Sequence, residues 1–177
     1  MITIQQDLLQ SALNAVTRAS AKSSLQILFA LVRLDVNPDG VLHLSCFNGE
    51  TAARATINVD CTEPLSVNVD AATLKAVVET LTGSIRLHVE ETVLVIQGAS
   101  TRTSLRIVEE ALPMLDEDDL HPLATFSGST FRSLLRVLPF DSSDESRSVL
   151  QVVHIMLDTT TAMSLAADGF FAGQVTE

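Results

Sequence analysis

Five basic side chains, Arg18, Lys22, Lys75, Arg132 and Arg136, fall where a helix or the loop after it would show them to solvent. The chemistry they offer is phosphate contact, in which a cation displaces counterions and adds affinity without reading base identity. Arg132 and Arg136 are four residues apart, so on a helix their guanidinium groups face the same way. Taken alone, each of the five reads more readily as an ordinary solvated charge. Their weight as a site is collective and depends on the elements beneath them.

Other chemistries lack an anchor. The sequence contains no glycine-rich phosphate loop, no Gly-x-Ser-x-Gly elbow and no His-Glu-x-x-His helix, so no catalytic residue is assigned. His43, His88, His121 and His154 are too far apart in the chain for ligand spacing, and no metal or other cofactor is expected. Cys46 and Cys61 form neither a metal knuckle nor a disulfide framework and read as reduced thiols. With no Trp, no Tyr and seven Phe, several at core-like positions, stacking of unpaired bases is disfavoured.

The charge balance opposes phosphate binding on average, because the 177 residues carry a formal net charge of -11. The acids are concentrated, however, in Glu109-Glu110 and Asp116-Glu117-Asp118-Asp119, which leaves room for a weakly basic face elsewhere. A hydrophobic content of 46% against 19% charged residues specifies a folded chain rich in Val, Ile, Leu and Thr. No apolar run approaches the ~20 residues of a membrane span, and Met1-Ile2-Thr3-Ile4 lacks the pattern of an export signal. No membrane association and a cytoplasmic location are the expectations.

The elements that must position the cations come from a unit that occurs three times, with a period of roughly 60 residues. Each copy opens on a short strand, carrying Ile2 and Ile4, then Leu65, Val67 and Val69, then Leu123, Thr125 and Phe126. A helix follows directly. The first, from about Gln6 to Arg18, buries Leu9, Leu13 and Val16. The second is capped by Asp70, buries Leu74, Val77, Val78 and Leu81, and stops at Gly83. The third, from about Ser129 to Pro139, buries Phe131, Leu134, Leu135 and Val137.

Three alternating segments complete each unit. In the first they include the hairpin Leu31 to Ser45 around Asn37-Pro38-Asp39-Gly40, and a strand near Thr51 to Val59. In the second they are Ser84 to Val89, Thr92 to Gln97 and Thr101 to Val108, and in the third Val149 to Leu157, Thr161 to Ala167 and Phe170 to Thr176. The fold class is α+β, built of β-α-β-β-β units with helices on one face and antiparallel sheets on the other. A helix with one apolar stripe needs a mate, so the first two units pair into a domain over residues 1–121, acidic connector included. Residues 122–177 form half of a second domain, its mate missing.

The residues then resemble a known family. Ile4 to Leu13, with Asp7-Leu8-Leu9, is similar to the first helix of bacterial DNA sliding clamps, the beta subunits of DNA polymerase III. Leu25-Gln26-Ile27-Leu28 resembles their Leu-Pro-Ile-Leu, Leu112-Pro113-Met114-Leu115-Asp116 their Phe-Pro-Asn-Leu connector, and Leu165-Ala166-Ala167-Asp168-Gly169 their Ala-Thr-Asp-Gly. The resemblance covers the first domain and the first half of the second. It implies a DNA-clamp fold and a role in DNA replication as a processivity factor without catalytic activity, encircling or lying along duplex DNA and tethering polymerase and clamp loader. It also places a DNA-contacting basic residue at Lys22.

Two further surfaces follow from the resemblance. One wall of the family's peptide-binding groove maps to Val152, Ala167, Gly169, Phe170 and Phe171, where Phe170-Phe171 replaces the usual His-Arg. The subunit-pairing edge maps to Arg102, Thr103 and Leu105, with Thr103 in place of an aromatic residue. The unmatched third unit is expected to pair with its copy in a second chain through residues 122–177. Two alternatives stand beside this reading: a clamp-fold protein-interaction module without DNA binding, and a fragment of a longer clamp.

Overall fold

The computed structural model describes residues 1–21, 27–110, 112, 123–142 and 146–177. The chain divides into two compact units, Met1–Glu117 and Asp118–Glu177. Of the acidic connector from Glu109 to about His121, only residues 109, 110 and 112 are described; the rest lies outside the described residues, as does Lys22.

In the first unit, strand β1 (Ile2–Gln5) runs straight into helix α1 (Gln6–Val16), which buries Leu9, Ala12, Leu13 and Val16 at the i, i+3, i+4, i+7 spacing of a single stripe. A short 3-10 turn, Thr17–Ala19, ends it, with the Thr17 hydroxyl donating to the Leu13 carbonyl oxygen at 2.7 Å. Strands β2 (Leu31–Val36), β3 (Val41–Phe47) and β4 (Ala52–Asn58) follow as an antiparallel meander. The turn between β2 and β3 closes as its residues demand. Asn37 Oδ1 accepts the Val41 N–H at 2.9 Å, and Gly40 takes a φ of +75° where a Cβ would stand 2.7 Å from the Val59 carbonyl oxygen.

The two-residue strand β5 (Asp60–Cys61), which sequence patterning does not reveal, leads to the second copy. It consists of β6 (Leu65–Asp70), α2 (Ala71–Glu79), β7 (Ser84–Glu90), β8 (Val93–Gln97) and β9 (Arg102–Arg106). Asp70 caps α2 by accepting the Thr73 N–H at 2.7 Å. Gly83 ends the turn beyond the helix at a φ of +73°.

The pairing of the two copies is reciprocal. Strand β1 leaves its own repeat and joins β7, with Ile2 opposite Leu87 and Ile4 opposite Ile85. Strand β6 likewise joins β2, with Val67 opposite Leu34 and Val69 opposite Val32. The result is two antiparallel sheets, ordered β5-β1-β7-β8-β9 and β4-β3-β2-β6. Their inward residues form one core with both helices, in which Leu9, Leu13, Leu34, Leu44, Leu74 and Leu87 are fully buried. Each such side chain contributes roughly 1.5–3 kcal/mol of transfer free energy.

The second unit holds a single copy: α3 (Gly128–Leu134), a 3-10 turn at Leu135–Phe140, another at Ser148–Leu150, and strands β10 (His154–Leu157), β11 (Ala162–Ala167) and β12 (Ala172–Thr176). Ser127 caps α3 by accepting the Thr130 N–H at 3.0 Å. The buried Ser164 hydroxyl donates to the Leu134 carbonyl oxygen at 2.6 Å, fixing the helix to β11. At Gly173 a Cβ would overlap the Phe140 ring, so the missing side chain lets the 3-10 turn lie over β12.

Three expectations for this copy are corrected. Residues 123–127 form no strand: among the described residues none pairs with them. Phe131 is 45% exposed rather than core, while Leu134 and Val137 are buried as their spacing requires. The first alternating segment begins at His154 and not at Val149, because Ser148–Leu150 coil into a 3-10 turn.

Candidate nucleic-acid and partner surfaces

Helices α1 and α2 pack side by side, the start of α1 tied to the end of α2 by Gln6, whose side-chain amide donates to the Val78 carbonyl oxygen at 3.0 Å. The turn bearing Arg18 and the face of α2 bearing Lys75 border one hollow of about 230 Å³, lined by Thr17, Ser20, Asp70 and Lys75 among others. Arg18 is exposed and Lys75 half-buried. Of the predicted cations Lys75 lines this hollow, and Arg18 lies on the turn between two lining residues, Thr17 and Ser20, without lining it itself. They share the place with carboxylates: Lys75 Nζ stands 4.0 Å from Glu79 Oε1, and Asp70 lines the same hollow. An i, i+4 pair of this kind contributes roughly 0.3–0.5 kcal/mol and leaves Lys75 available to a phosphate that displaces Glu79.

Arg132 and Arg136 are both exposed, on α3 and on the 3-10 turn after it. The change from α to 3-10 winding between them alters the one-turn alignment that the sequence predicts.

The edge predicted at Arg102, Thr103 and Leu105 is β9, which ends the five-stranded sheet. Leu105 is buried, Thr103 half-buried and Arg102 exposed. Arg102 is engaged across the sheet, its Nη2 lying 2.6 Å from both oxygens of Glu90, and His88 Nε2 stands 2.8 Å from Glu90 Oε1. The hydrogen bond from His88 and the bond and charge of Arg102 hold the Glu90 carboxyl below its ordinary value. Sequence reading singled out Arg102 but not this cluster. The signal was the two-residue spacing of His88 and Glu90, which puts both on one face of β7.

Of the residues expected to line the half-groove, Ala167, Gly169, Phe170 and Phe171 lie at the end of β11 and in the turn that follows it. The β11–β12 turn is closed by Asp168, whose Oδ1 accepts the N–H groups of Phe170 and Phe171, each at 2.7 Å. Those two bonds hold the Asp168 carboxyl below its ordinary value. Gly169, at a φ of +95°, sits against Leu150 and Arg147, so the turn lies beside the segment that carries Val152. Phe170 and Phe171 project from the tip at 87% and 70% exposure, while Ala167 is half-buried.

Burial pushes the Cys46 thiol up to about 12, far from a reactive thiolate. Among the described residues no three of His, Cys, Asp and Glu converge on a common point, and no helix is long and apolar enough to cross a membrane.

Strand-exchanged β-α-β-β-β copies with paired helices define a fold, that of the bacterial DNA sliding clamps. Over 99% of its length the chain matches the beta sliding clamp of Caulobacter crescentus, with a TM-score of 0.85 and 20% identity, covering 49% of that chain. It matches the DNA polymerase III beta subunit of Pseudomonas aeruginosa (TM-score 0.80, 23% identity, 100% of this chain and 50% of that one). The beta subunit of Streptococcus pyogenes gives a TM-score of 0.80 at 21% identity, over 99% of this chain and 49% of that one. The chain thus spans about half the length of the clamps it is similar to. No protein-family model and no curated protein matches the sequence.

Proposed function

We propose that this chain is a sliding-clamp-like processivity factor of DNA replication, without catalytic activity of its own, that lies along or encircles duplex DNA and tethers replication proteins to it. The observation that carries this reading is the clamp fold over the entire chain, with α1 and α2 side by side and the Arg18 turn and Lys75 around one hollow. The helices supply a few cations and no base-reading side chains, which suits a protein that must hold a duplex without stopping on it. Arg18, Lys22, Lys75, Arg132 and Arg136 are the proposed phosphate contacts. Val152, Ala167, Gly169, Phe170 and Phe171 are the proposed wall for polymerase and clamp-loader peptides, and Arg102, Thr103 and Leu105 an edge for subunit pairing. Self-association through residues 122–177 and a cytoplasmic location complete the reading.

Fluorescence anisotropy on a labelled duplex at several salt concentrations tests it. The expected result is weak binding whose logarithm falls linearly with the logarithm of salt, by roughly 0.9 for each phosphate neutralised. Arg132→Glu with Arg136→Glu should reduce that slope by about two and weaken all sequences alike. Salt-independent binding, or none at low salt, would favour the second reading, a clamp-fold protein-interaction module. The carboxylates of Asp70 and Glu79 beside Lys75 and the bare Phe170 and Phe171 are the observations on its side.

A further inference from the structure

The two copies in the first unit carry the same row of side chains across their sheets. Arg33 of β2 stands opposite Ser45 of β3, and Ser45 opposite Arg54 of β4. In the second copy Arg86 of β7 stands opposite Gln97 of β8, and Gln97 opposite Arg102 of β9. Their chain neighbours Val32, Leu34, Leu44, Cys46, Leu87 and Ile96 are buried in the common core, so both rows lie on the sheet face turned away from it. Each row sets two guanidinium groups two strands apart, about 10 Å from Cα to Cα, with an uncharged polar residue between them.

The rows differ in what fills them. In the second, the middle position holds the long Gln97, and Arg102 Nη2 is spent on both oxygens of Glu90, at 2.6 Å each. In the first, the middle residue is Ser45, 3% exposed, and a hollow of about 240 Å³ opens there, lined by Arg33, Asp35, His43, Ser45 and Arg54. Neither arginine is idle. Arg33 Nη2 stands 3.2 Å from Asp35 Oδ2 and 3.1 Å from Ser66 Oγ, and Arg54 Nε donates to Ser45 Oγ at 3.4 Å. These contacts are longer than those that hold Arg102. Asp35 is the one acid among the described residues that line the hollow, so two fixed positive charges meet one negative charge in a chain of net charge -11. A half-exposed pair such as Arg33 with Asp35 contributes little. An oxyanion between two guanidinium groups gains charge-assisted hydrogen bonds from both, with the planar fork of each matched to its oxygens.

We propose that this hollow on the outer face of the four-stranded sheet binds a phosphoryl group, as free phosphate or as the phosphate of a nucleotide. Arg33 and Arg54 reach its oxygens from the two sides by exchanging contacts they now make, and the Ser45 hydroxyl donates from the floor between them. The site is separate from the surface assigned to duplex DNA, because it lies on the face of the sheet opposite the one against which α1 packs. A failed duplex titration therefore leaves it standing.

Titration of the full chain at constant ionic strength with inorganic phosphate and, separately, with AMP, followed by amide shifts in NMR spectra, tests it. Saturable shifts centred on Arg33, Ser45 and Arg54 are expected, and the titrant that saturates at the lower concentration names the source of the phosphoryl group. Arg33→Gln and Arg54→Gln should each weaken binding about tenfold, the loss of a hydrogen bond to a charged group. Ser45→Gln, which copies the second row, should abolish it, and Arg86→Gln should leave it unchanged. If Ser45→Gln fails to fold, the two arginine variants decide alone. Shifts that rise without saturating for both titrants, shifts centred elsewhere, or undiminished affinity in folded Arg33→Gln and Arg54→Gln overturn the proposal.

Discussion

Asp168 shows how much one carboxylate does at the tip of a hairpin. By accepting the N–H groups of Phe171 and Phe170 it keeps the turn closed and two large rings turned outward, and those bonds lower its own pKa. A lowered folded value means that the unfolded chain takes up the proton first as the solution is acidified. The contribution is therefore complete above the unfolded value of about 4 and lost as pH falls through the folded value. Melting temperature measured against pH should fall more steeply below about pH 4 for the wild type than for Asp168→Asn. Parallel curves would mean that the turn does not depend on the charge. Residue-scale reading of the sequence singled out Lys75 and Arg102 but not the carboxylates beside them. Glu79 beside Lys75 was visible at helical spacing, whereas Glu90 beside Arg102 needed the pairing of β7, β8 and β9 to bring it there.

Elements differ in how they are held. Helix α2 begins on a side-chain cap from Asp70, whereas Gln5 gives α1 none, and α1 instead donates the Gln6 N–H to the Gly83 carbonyl oxygen at 2.9 Å. Asp70→Ala should then cost about 1 kcal/mol in denaturant unfolding, and Gln5→Ala less than about 0.5 kcal/mol. Equal losses would show that the packing of α1 against α2, not the cap, sets the helix. The helices and hairpins were legible because their signals are local: stripes at Leu9, Leu13 and Val16, a turn at Asn37-Pro38-Asp39-Gly40, a stop at Gly83. The exchange of β1 and β6 was not. Alternation tells which face of a strand is buried and says nothing of which distant strand lies beside it, and Ile2 meets Leu87 across most of the unit.

At the scale of the molecule the two units differ in completeness. The first encloses its core, and the second leaves Phe131, Leu138 and Ile155 partly bare. If self-association through residues 122–177, as proposed above, covers these side chains, the two units should melt differently. The transition of the second unit should rise with protein concentration while that of the first stays fixed, since only the former is linked to association. Calorimetry over a hundredfold range of concentration checks this, and two concentration-independent transitions would count against it. The threefold repeat was legible from composition and spacing alone. That the opening segment of the third copy would be unpaired was not, because Leu123, Thr125 and Phe126 carry the pattern of a strand whether or not a neighbour exists to receive it.

The reciprocal lending of β1 and β6 also sets a timetable for synthesis. A nascent chain that has released only β2, β3 and β4 still lacks the strand that closes its sheet, and β1 waits longer still for β7. Neither half of the first unit can finish ahead of the other, so this domain closes only once β9 has left the ribosome, beyond residue 106.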